Sequence, residues 1–303
     1  MTKKTGYILG IVFTILIGVL LRWLFCCNQN GSDIKSLEEA SSFKTGTHNG
    51  FIFKDDSFKI ESNDNFNFKT SDFNIIHPLS ENLKQSLLNV KQYLQQKPSK
   101  QININGYYTS TEENNSIYSN LGFARANAVK NYLVDSLGFS VKHLHPHGVL
   151  NEALEPDSNN IFHGPIDYKA ITINEDAKIS YETSIKSLCD SIRAHPIELH
   201  FEIAKHHIDL TEKQRQDMQA ISDCIDKLDA DILITGHTDN TGDPDKNITL
   251  GQRRADFVKS YLVTNGISGQ HIKTLSKGQS APIVDNDTEE GRSKNRRVEI
   301  TIK

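Results

Sequence analysis

An aspartate and an arginine in the second half of the chain are spaced so that they could hold a ligand together. Asp239 lies just after a predicted strand at residues 231–235, and Arg254 lies on the predicted helix that follows. Arg254 shares an apolar helix face with Leu250 and Val258. An inward-facing arginine is costly unless a carboxylate or a ligand meets it. The pair is therefore either a structural ion pair that fixes the loop or part of a binding site.

The elements around this pair follow the order β-α-β-α-β-β. Thr211 can cap the first helix, and Thr249 with Gln252 predicts a capping box for the second. Gly266 is typical of the residue that follows a helix end. Alternating or buried apolar patterns predict strands at residues 198–203, 231–235, 271–276 and 297–302.

The first half of the chain repeats this unit. Gly106 and Gly236 differ by 130 positions, and Arg125 and Arg254 differ by 129. Ser80 takes the capping position of the first helix, and strands are predicted at residues 102–105 and 168–173. Two copies of so long a unit indicate a duplicated domain and not a solenoid. The predicted fold class is α+β, with two tandem sandwich domains whose helices cover one face of a mixed sheet.

The amino end predicts a membrane anchor. Residues 7–25 contain one charge, Arg22, and a helix of this length rises about 28 Å, close to the thickness of the bilayer core. Lys3 and Lys4 precede the span, so the positive-inside rule places the remainder in the periplasm. The alternative is a cleaved signal peptide, with or without export to the outer membrane, but residues 23–27 (WLFCC) lack the small residues of a cleavage site.

The chain is accordingly divided into six segments. Residues 28–64 match nothing in the second copy and are interpreted as a linker with one or two extra strands, and a short helix is expected around residues 184–193. The predicted segments are a cytoplasmic tip (1–6), a transmembrane helix (7–27), the linker (28–64), a degenerate domain (65–174), a connector (175–194) and a second domain (195–303).

Composition excludes several classes of function. The 303 residues are 37% hydrophobic and 24% charged, as expected of a folded protein. Beyond residue 27 there are 31 basic and 38 acidic residues, so nucleic-acid binding is not expected. No nucleophile elbow, phosphate loop or HExxH motif is present, and we expect neither catalysis nor a cofactor.

Three alternating histidines offer a second chemistry. His143, His145 and His147 could point to one side of a strand and hold a metal ion. Pro146 interrupts them, and the second copy keeps only His271 at the first position. Histidines on an edge strand are therefore expected, without a metal.

A series of motifs in the second copy occurs in one fixed order: Gly236-His237-Thr238-Asp239, Asn247, Leu250, Arg253-Arg254-Ala255, Tyr261-Leu262, Gly266-Ile267, Gly291-Arg292 and Asn295-Arg296-Arg297-Val298-Glu299-Ile300. Over residues 195–303 this series resembles the OmpA C-terminal-like family, which includes Pal and the periplasmic part of MotB. That family binds peptidoglycan without covalent attachment. Its Asp and Arg, fifteen residues apart, hold the diaminopimelate of an uncrosslinked stem peptide, and the resemblance assigns these roles to Asp239 and Arg254.

The resemblance also implies what each group does. Asp239 would meet the ammonium of diaminopimelate, and Arg254 would hold its carboxylate with two parallel hydrogen bonds. Thr238 is assigned to the same site, and Asn247 would orient the loop or donate a further bond. Arg297 would add positive charge at the rim, whereas Arg292 and Arg296 are expected to be solvated or bonded to carbonyl groups.

The first copy departs from this pattern. Arg125 remains, but Thr109 replaces Asp239 and Tyr168 replaces Arg297. An ammonium partner is missing unless Glu112 or Glu113 turns inward. We expect that this copy does not hold peptidoglycan in the family's way and serves as a spacer or a protein-docking surface.

Two cysteines and the possible partners complete the expectations. Family members with cysteines at similar places favour a Cys189–Cys224 disulfide over two buried thiols. The predicted protein is a single-pass inner-membrane protein that tethers an envelope complex to the wall. The alternative is a structural subunit of a motor or of a secretion or injection machine that mainly docks proteins. Proton conduction is not expected, because the first acid, Asp33, lies outside the span. The sequence leaves homo-oligomerisation open.

Overall fold

The computed structural model describes residues 46–200 and 210–303. The predicted cytoplasmic tip, the transmembrane helix and most of the linker lie outside these residues, as does the end of the strand predicted at 198–203. Within the described ranges, no helix combines the length and the apolar character needed to cross a membrane.

The first copy is built from strands β1 to β7 and helices α1 and α2. Its elements are β1 (Phe51–Asp55), β2 (Phe58–Ser62), β3 (Asn67–Lys69), α1 (Glu81–Gln96), β4 (Lys100–Tyr108), α2 (Leu121–Asp135), β5 (Leu144–Leu150), β6 (Ile161–His163) and β7 (Ile166–Thr172). The central strand β4 runs parallel to β5 and antiparallel to β7. β1 and β2 form the hairpin of extra strands, and Phe51 and Phe53 of β1 are buried in the same core as Leu83 of α1.

The second copy follows a connecting helix, α3 (Glu175–Ala194), which is longer than the predicted short helix. Its elements are β8 (Ile197–His200), α4 (Glu212–Leu228), β9 (Ile232–His237), α5 (Pro244–Thr264), β10 (Ile272–Gly278), α6 (Glu289–Asn295) and β11 (Arg297–Ile302). The sheet order is β10-β9-β11-β8, with β9 and β10 parallel and β11 antiparallel to both of its neighbours. The short helix α6 was not predicted.

Helix starts show where the local sequence signal was sufficient. The Ser80 side chain accepts a hydrogen bond from the backbone N–H of Leu83, and Thr211 forms a capping box with Gln214, so both predicted caps are confirmed. The predicted box at Thr249 and Gln252 is wrong, because α5 begins at Pro244 and Asp243 caps it. An aspartate before a proline at the first helical position is a stronger start signal than the Thr249 pattern.

A disulfide fastens the connecting helix to the second copy. Cys189 of α3 and Cys224 of α4 are bonded, with 5.9 Å between their Cα atoms. The bridge closes a loop across a sequence separation of 35 residues. On the chain-entropy model, a loop of this size contributes about 3–4 kcal/mol to the free energy of unfolding.

The two copies share a hydrophobic core. Ile117, Tyr118 and Phe123 of the first copy are buried in the cluster that contains Met218 and Val258 of the second. Polar contacts surround this junction: Lys130 forms an ion pair with Asp226, Arg215 donates to the Ser116 carbonyl, and Asn131 donates to the Gly266 carbonyl at 2.7 Å. The second copy is therefore not an independent body.

Candidate functional site

A close crossing of helix and strand positions Arg254. Gly236 on β9 faces Gly251 on α5, and a Cβ atom added at Gly236 would lie 1.9 Å from the Gly251 carbonyl oxygen. Only glycine allows this approach. One turn later, Arg254 is 6% exposed, and its Nη1 donates to the His237 carbonyl at 3.2 Å. Leu250, predicted on the buried face, is 39% exposed, because the helix contacts the sheet from Gly251 onward.

Asp239 lies two residues beyond the end of β9 and is also buried. Its Oδ1 accepts the Thr241 N–H at 3.0 Å, and its Oδ2 accepts from Arg296 Nη1 at 2.8 Å. Burial alone would raise the pKa of Asp239, but the bonds from Arg296 and Thr241 outweigh it and hold the pKa below its ordinary value. The carboxylate is therefore ionised at neutral pH.

Asp239 and Arg254 influence each other electrostatically. Burial lowers the pKa of Arg254, and the Asp239 carboxylate opposes this shift. The structure thus brings the predicted pair together, with both side chains charged and largely removed from water. We call Asp239, Arg254, Thr238, Asn247 and Arg296 the notch.

Asn247 and Thr238 shape the loop of the notch. Asn247 Nδ2 donates to the Thr241 carbonyl at 3.1 Å and to Gln279 Oε1 at 2.7 Å, which ties the loop to the segment after β10. The Thr238 hydroxyl donates to the Asp239 carbonyl at 2.9 Å. Both side chains are buried, and both act here by holding the backbone around Asp239.

The two arginines at the start of β11 exchange their expected positions. Arg296, expected to be solvated or bonded to carbonyl groups, forms ion pairs with Asp239 and Glu289. Arg297, expected at the rim, is 2% exposed and pairs with Glu299. Because side chains two residues apart share one face of a strand, Arg297 and Glu299 meet beneath the loop. The expected rim charge is therefore supplied by Arg296.

Several buried nitrogen atoms at this end of the sheet have no hydrogen-bond partner among the described residues. They are the two ring nitrogens of His237, Nε of Arg296 and Nη1 of Arg297. Buried polar atoms are normally paired, and clusters of exceptions mark sites that take water, ions or ligands. Burial and the nearby Arg297 lower the pKa of His237, which is thereby kept neutral.

The first copy carries the same arginine in a closed environment. Arg125 Nη1 donates to the Tyr107 carbonyl at 2.9 Å, as Arg254 does to His237, and Gly106 crosses Gly122 as Gly236 crosses Gly251. Glu112 turns inward, the alternative that the sequence left open. Its carboxylate pairs with the Arg125 guanidinium, and neither side chain is more than 1% exposed.

The alternating histidines do not form a metal site. β5 is the edge strand that was expected, and His145 bonds to Gln101. Burial lowers the pKa of His145 to about 3. No group of metal-ligating side chains suited to an ion occurs within residues 46–200 and 210–303.

Comparison with known families agrees with this architecture. A family model described as the OmpA family matches residues 67–158 and 204–296, one match in each copy. Together the matches cover more than half of the chain. The chain belongs to the OmpA family. Both copies are therefore OmpA domains, and the first of them is recognised despite its altered loop.

Curated relatives resemble part of the chain. The peptidoglycan-binding protein ArfA of Mycobacterium tuberculosis is 47% identical over 90 residues, which are 28% of this chain and 28% of that protein. The peptidoglycan-associated lipoprotein of Haemophilus influenzae is 47% identical over 69 residues, which are 23% of this chain and 45% of that protein. The chain thus spans less than half of the length of these relatives.

A solved structure is similar in the same way. The C-terminal domain of Helicobacter pylori MotB is 29% identical, with a TM-score of 0.31 over 35% of this chain and 84% of that one.

Proposed function

We propose that the second OmpA domain binds peptidoglycan non-covalently through the notch, with a diaminopimelate side chain of an uncrosslinked stem peptide as the ligand. The observation that carries this proposal is the buried, charged pair of Asp239 and Arg254 at the end of one strand. Diaminopimelate ends in an ammonium and a carboxylate, so the two charges of the pair match the two charges of the ligand. Binding without catalysis is the proposed activity.

The role of Asp239 follows from its hydrogen bonds. Each carboxylate oxygen can accept two bonds, and one bond to each is provided by Thr241 or Arg296. An ammonium group can therefore bind Asp239 without displacing Arg296. The Arg296–Glu289 ion pair keeps the carboxylate oriented. The printed names of ArfA and of the peptidoglycan-associated lipoprotein support the same class of ligand.

Sedimentation of the full chain with purified sacculi tests this proposal. Asp239→Asn and Arg254→Gln are each expected to lower the affinity about 10- to 100-fold, because a hydrogen bond to a charged group is worth about 1.5–3 kcal/mol. The matched controls are Asp245→Asn and Arg253→Gln, which change the same residue types at exposed positions of α5. Circular dichroism establishes that all four variants are folded. Sedimentation of the notch variants at the level of the controls would contradict the proposal.

We further propose that residues 7–27 anchor the chain in the inner membrane and that the wall-binding domain thereby tethers an envelope complex. This part rests on the apolar sequence and on the two lysines that precede it. In a bacterial host, the full chain is expected in the inner-membrane fraction, where it resists washing with sodium carbonate, with an amino end before residue 7. A mature amino end beyond residue 25 would show cleavage instead.

A further inference from the structure

The buried arginine of the first copy is completely satisfied by protein groups. Arg125 Nε donates to the Asp72 carbonyl at 3.0 Å and Nη2 donates to the Lys69 carbonyl at 3.2 Å, in addition to the bond to Tyr107. Glu112 accepts the remaining N–H groups of the guanidinium, one from Nη1 and one from Nη2. All five donors of the side chain are therefore used.

The Glu112 carboxylate is held as a bound ligand would be. Besides the two bonds from Arg125, it accepts the backbone N–H of Ser71 and of Thr109, each at 3.0 Å. Four donors thus surround the two oxygens, and the aromatic rings of Phe68 and Phe162 lie 5.6 and 5.2 Å from the guanidinium carbon. The site contains every group that a buried carboxylate requires.

The duplication shows what this position is. Arg125 and Arg254 occupy corresponding helices, follow corresponding glycine crossings and donate to corresponding carbonyl groups. Glu112 lies three residues after Thr109, the residue that replaces Asp239. A side chain from the chain's own loop therefore reaches the guanidinium that, in the second copy, we assign to a ligand carboxylate.

We propose that the first copy contains a carboxylate-binding site that is closed by Glu112 of the same chain and that opens to small carboxylates, such as formate and acetate, when this side chain is removed. The occupant also gives the loop a new role. Ser116 and Ile117, four and five residues after Glu112, contact Arg215 and Asn265 of the second copy. The loop that would contact a ligand is fixed by its own glutamate and contacts the other domain. This proposal does not depend on wall binding by the second copy.

Chemical rescue of Glu112→Ala tests the closed site. The variant leaves the Arg125 charge buried and unpaired, so it is expected to unfold at a lower temperature than the parent. Formate or acetate should then increase the folding equilibrium constant in a saturable manner, by about tenfold at a concentration tenfold above the dissociation constant. Circular dichroism in sodium formate and in sodium chloride of equal ionic strength measures the difference. It also applies if the variant folds only in formate.

Three matched proteins separate this site from general salt effects. The parent, the variant Glu113→Ala at the exposed neighbouring glutamate and the double variant Glu112→Ala/Arg125→Met should respond equally to formate and chloride. Acetamide, which has the shape of acetate without its charge, should not rescue Glu112→Ala. The proposal is overturned if formate and chloride act alike on Glu112→Ala, or if the double variant is rescued to the same extent.

Discussion

Conversion of the free carboxylate of diaminopimelate to an amide is expected to weaken the binding of a soluble stem peptide to this chain about 10- to 100-fold. The carboxylate offers two charged acceptor oxygens to the Arg254 guanidinium, whereas the amide offers one neutral oxygen and directs its NH₂ group at the arginine's own donors. Loss of a charge-assisted hydrogen bond at a buried site costs about 1.5–3 kcal/mol, which corresponds to this range of affinity.

The first copy supports this expectation from within the same molecule. There the arginine at the corresponding position pairs with a carboxylate through two of its nitrogen atoms, and both groups are fully buried. Arg125 and Arg254 have the same backbone anchor, so Arg254 has the placement needed for the same two-point contact. An amine-linked point charge such as lysine would not reproduce it.

Titration calorimetry with the two peptides and three proteins measures the effect. The parent and Arg253→Gln should prefer the carboxylate peptide by the same large factor. Arg254→Gln should bind both peptides weakly and nearly equally, because the group that distinguishes them is gone. If Arg254→Gln retained the parent's preference, another cation, with Arg296 as the nearest to Asp239, would be the carboxylate receptor.

The features that the sequence predicted well are those set by local patterns. β11 has the predicted bounds, residues 297–302, since its buried residues alternate with more exposed ones. The Ser80 and Thr211 caps follow from side chains that bond to their own helix. The juxtaposition of Asp239 and Arg254 could be predicted because the strand, the loop and the helix that carry them are consecutive.

The features that were missed depend on contacts between distant parts of the chain. Arg296 pairs with Asp239 across 57 positions, and only the antiparallel placement of β11 beside β9 brings them together. The inward turn of Glu112 was one of two alternatives, because no local pattern indicates which acid reaches Arg125. The short contact between Gly236 and Gly251 had a signal in the glycine types, but its meaning required the helix crossing.

Truncation of Tyr118 to alanine is expected to lower the free energy of unfolding by about 3–5 kcal/mol, the range for a large aromatic side chain in a core. Tyr118 belongs to the first copy, yet it is fully buried in the core of the second. Its hydroxyl donates to the Asn265 carbonyl at 3.1 Å and accepts from Asn127 at 2.8 Å. Asn265 caps the end of α5, the helix that carries Arg254.

Urea unfolding of the parent, Tyr118→Phe and Tyr118→Ala measures this coupling. Tyr118→Phe keeps the ring and removes only the hydroxyl, so it should cost about 1 kcal/mol. The parent is expected to unfold in one transition, whereas Tyr118→Ala should separate the transitions of the two copies, because the shared core is what joins them. Equal stability of the alanine and phenylalanine variants would show that the ring contributes nothing to the shared core.

The same coupling determines how the wall-binding domain can be studied. The family matches end at residue 158 and resume at residue 204, which suggests that the second domain could be excised. Such a fragment would expose the surface on which Ile117, Tyr118 and Phe123 pack, and would lose the backbone donor at Ile117 that binds Asn265. A fragment that begins at residue 195 should therefore be less stable than the full chain by at least the Tyr118→Ala difference. The first copy thus acts as the structural partner that holds α5, and with it Arg254, in place.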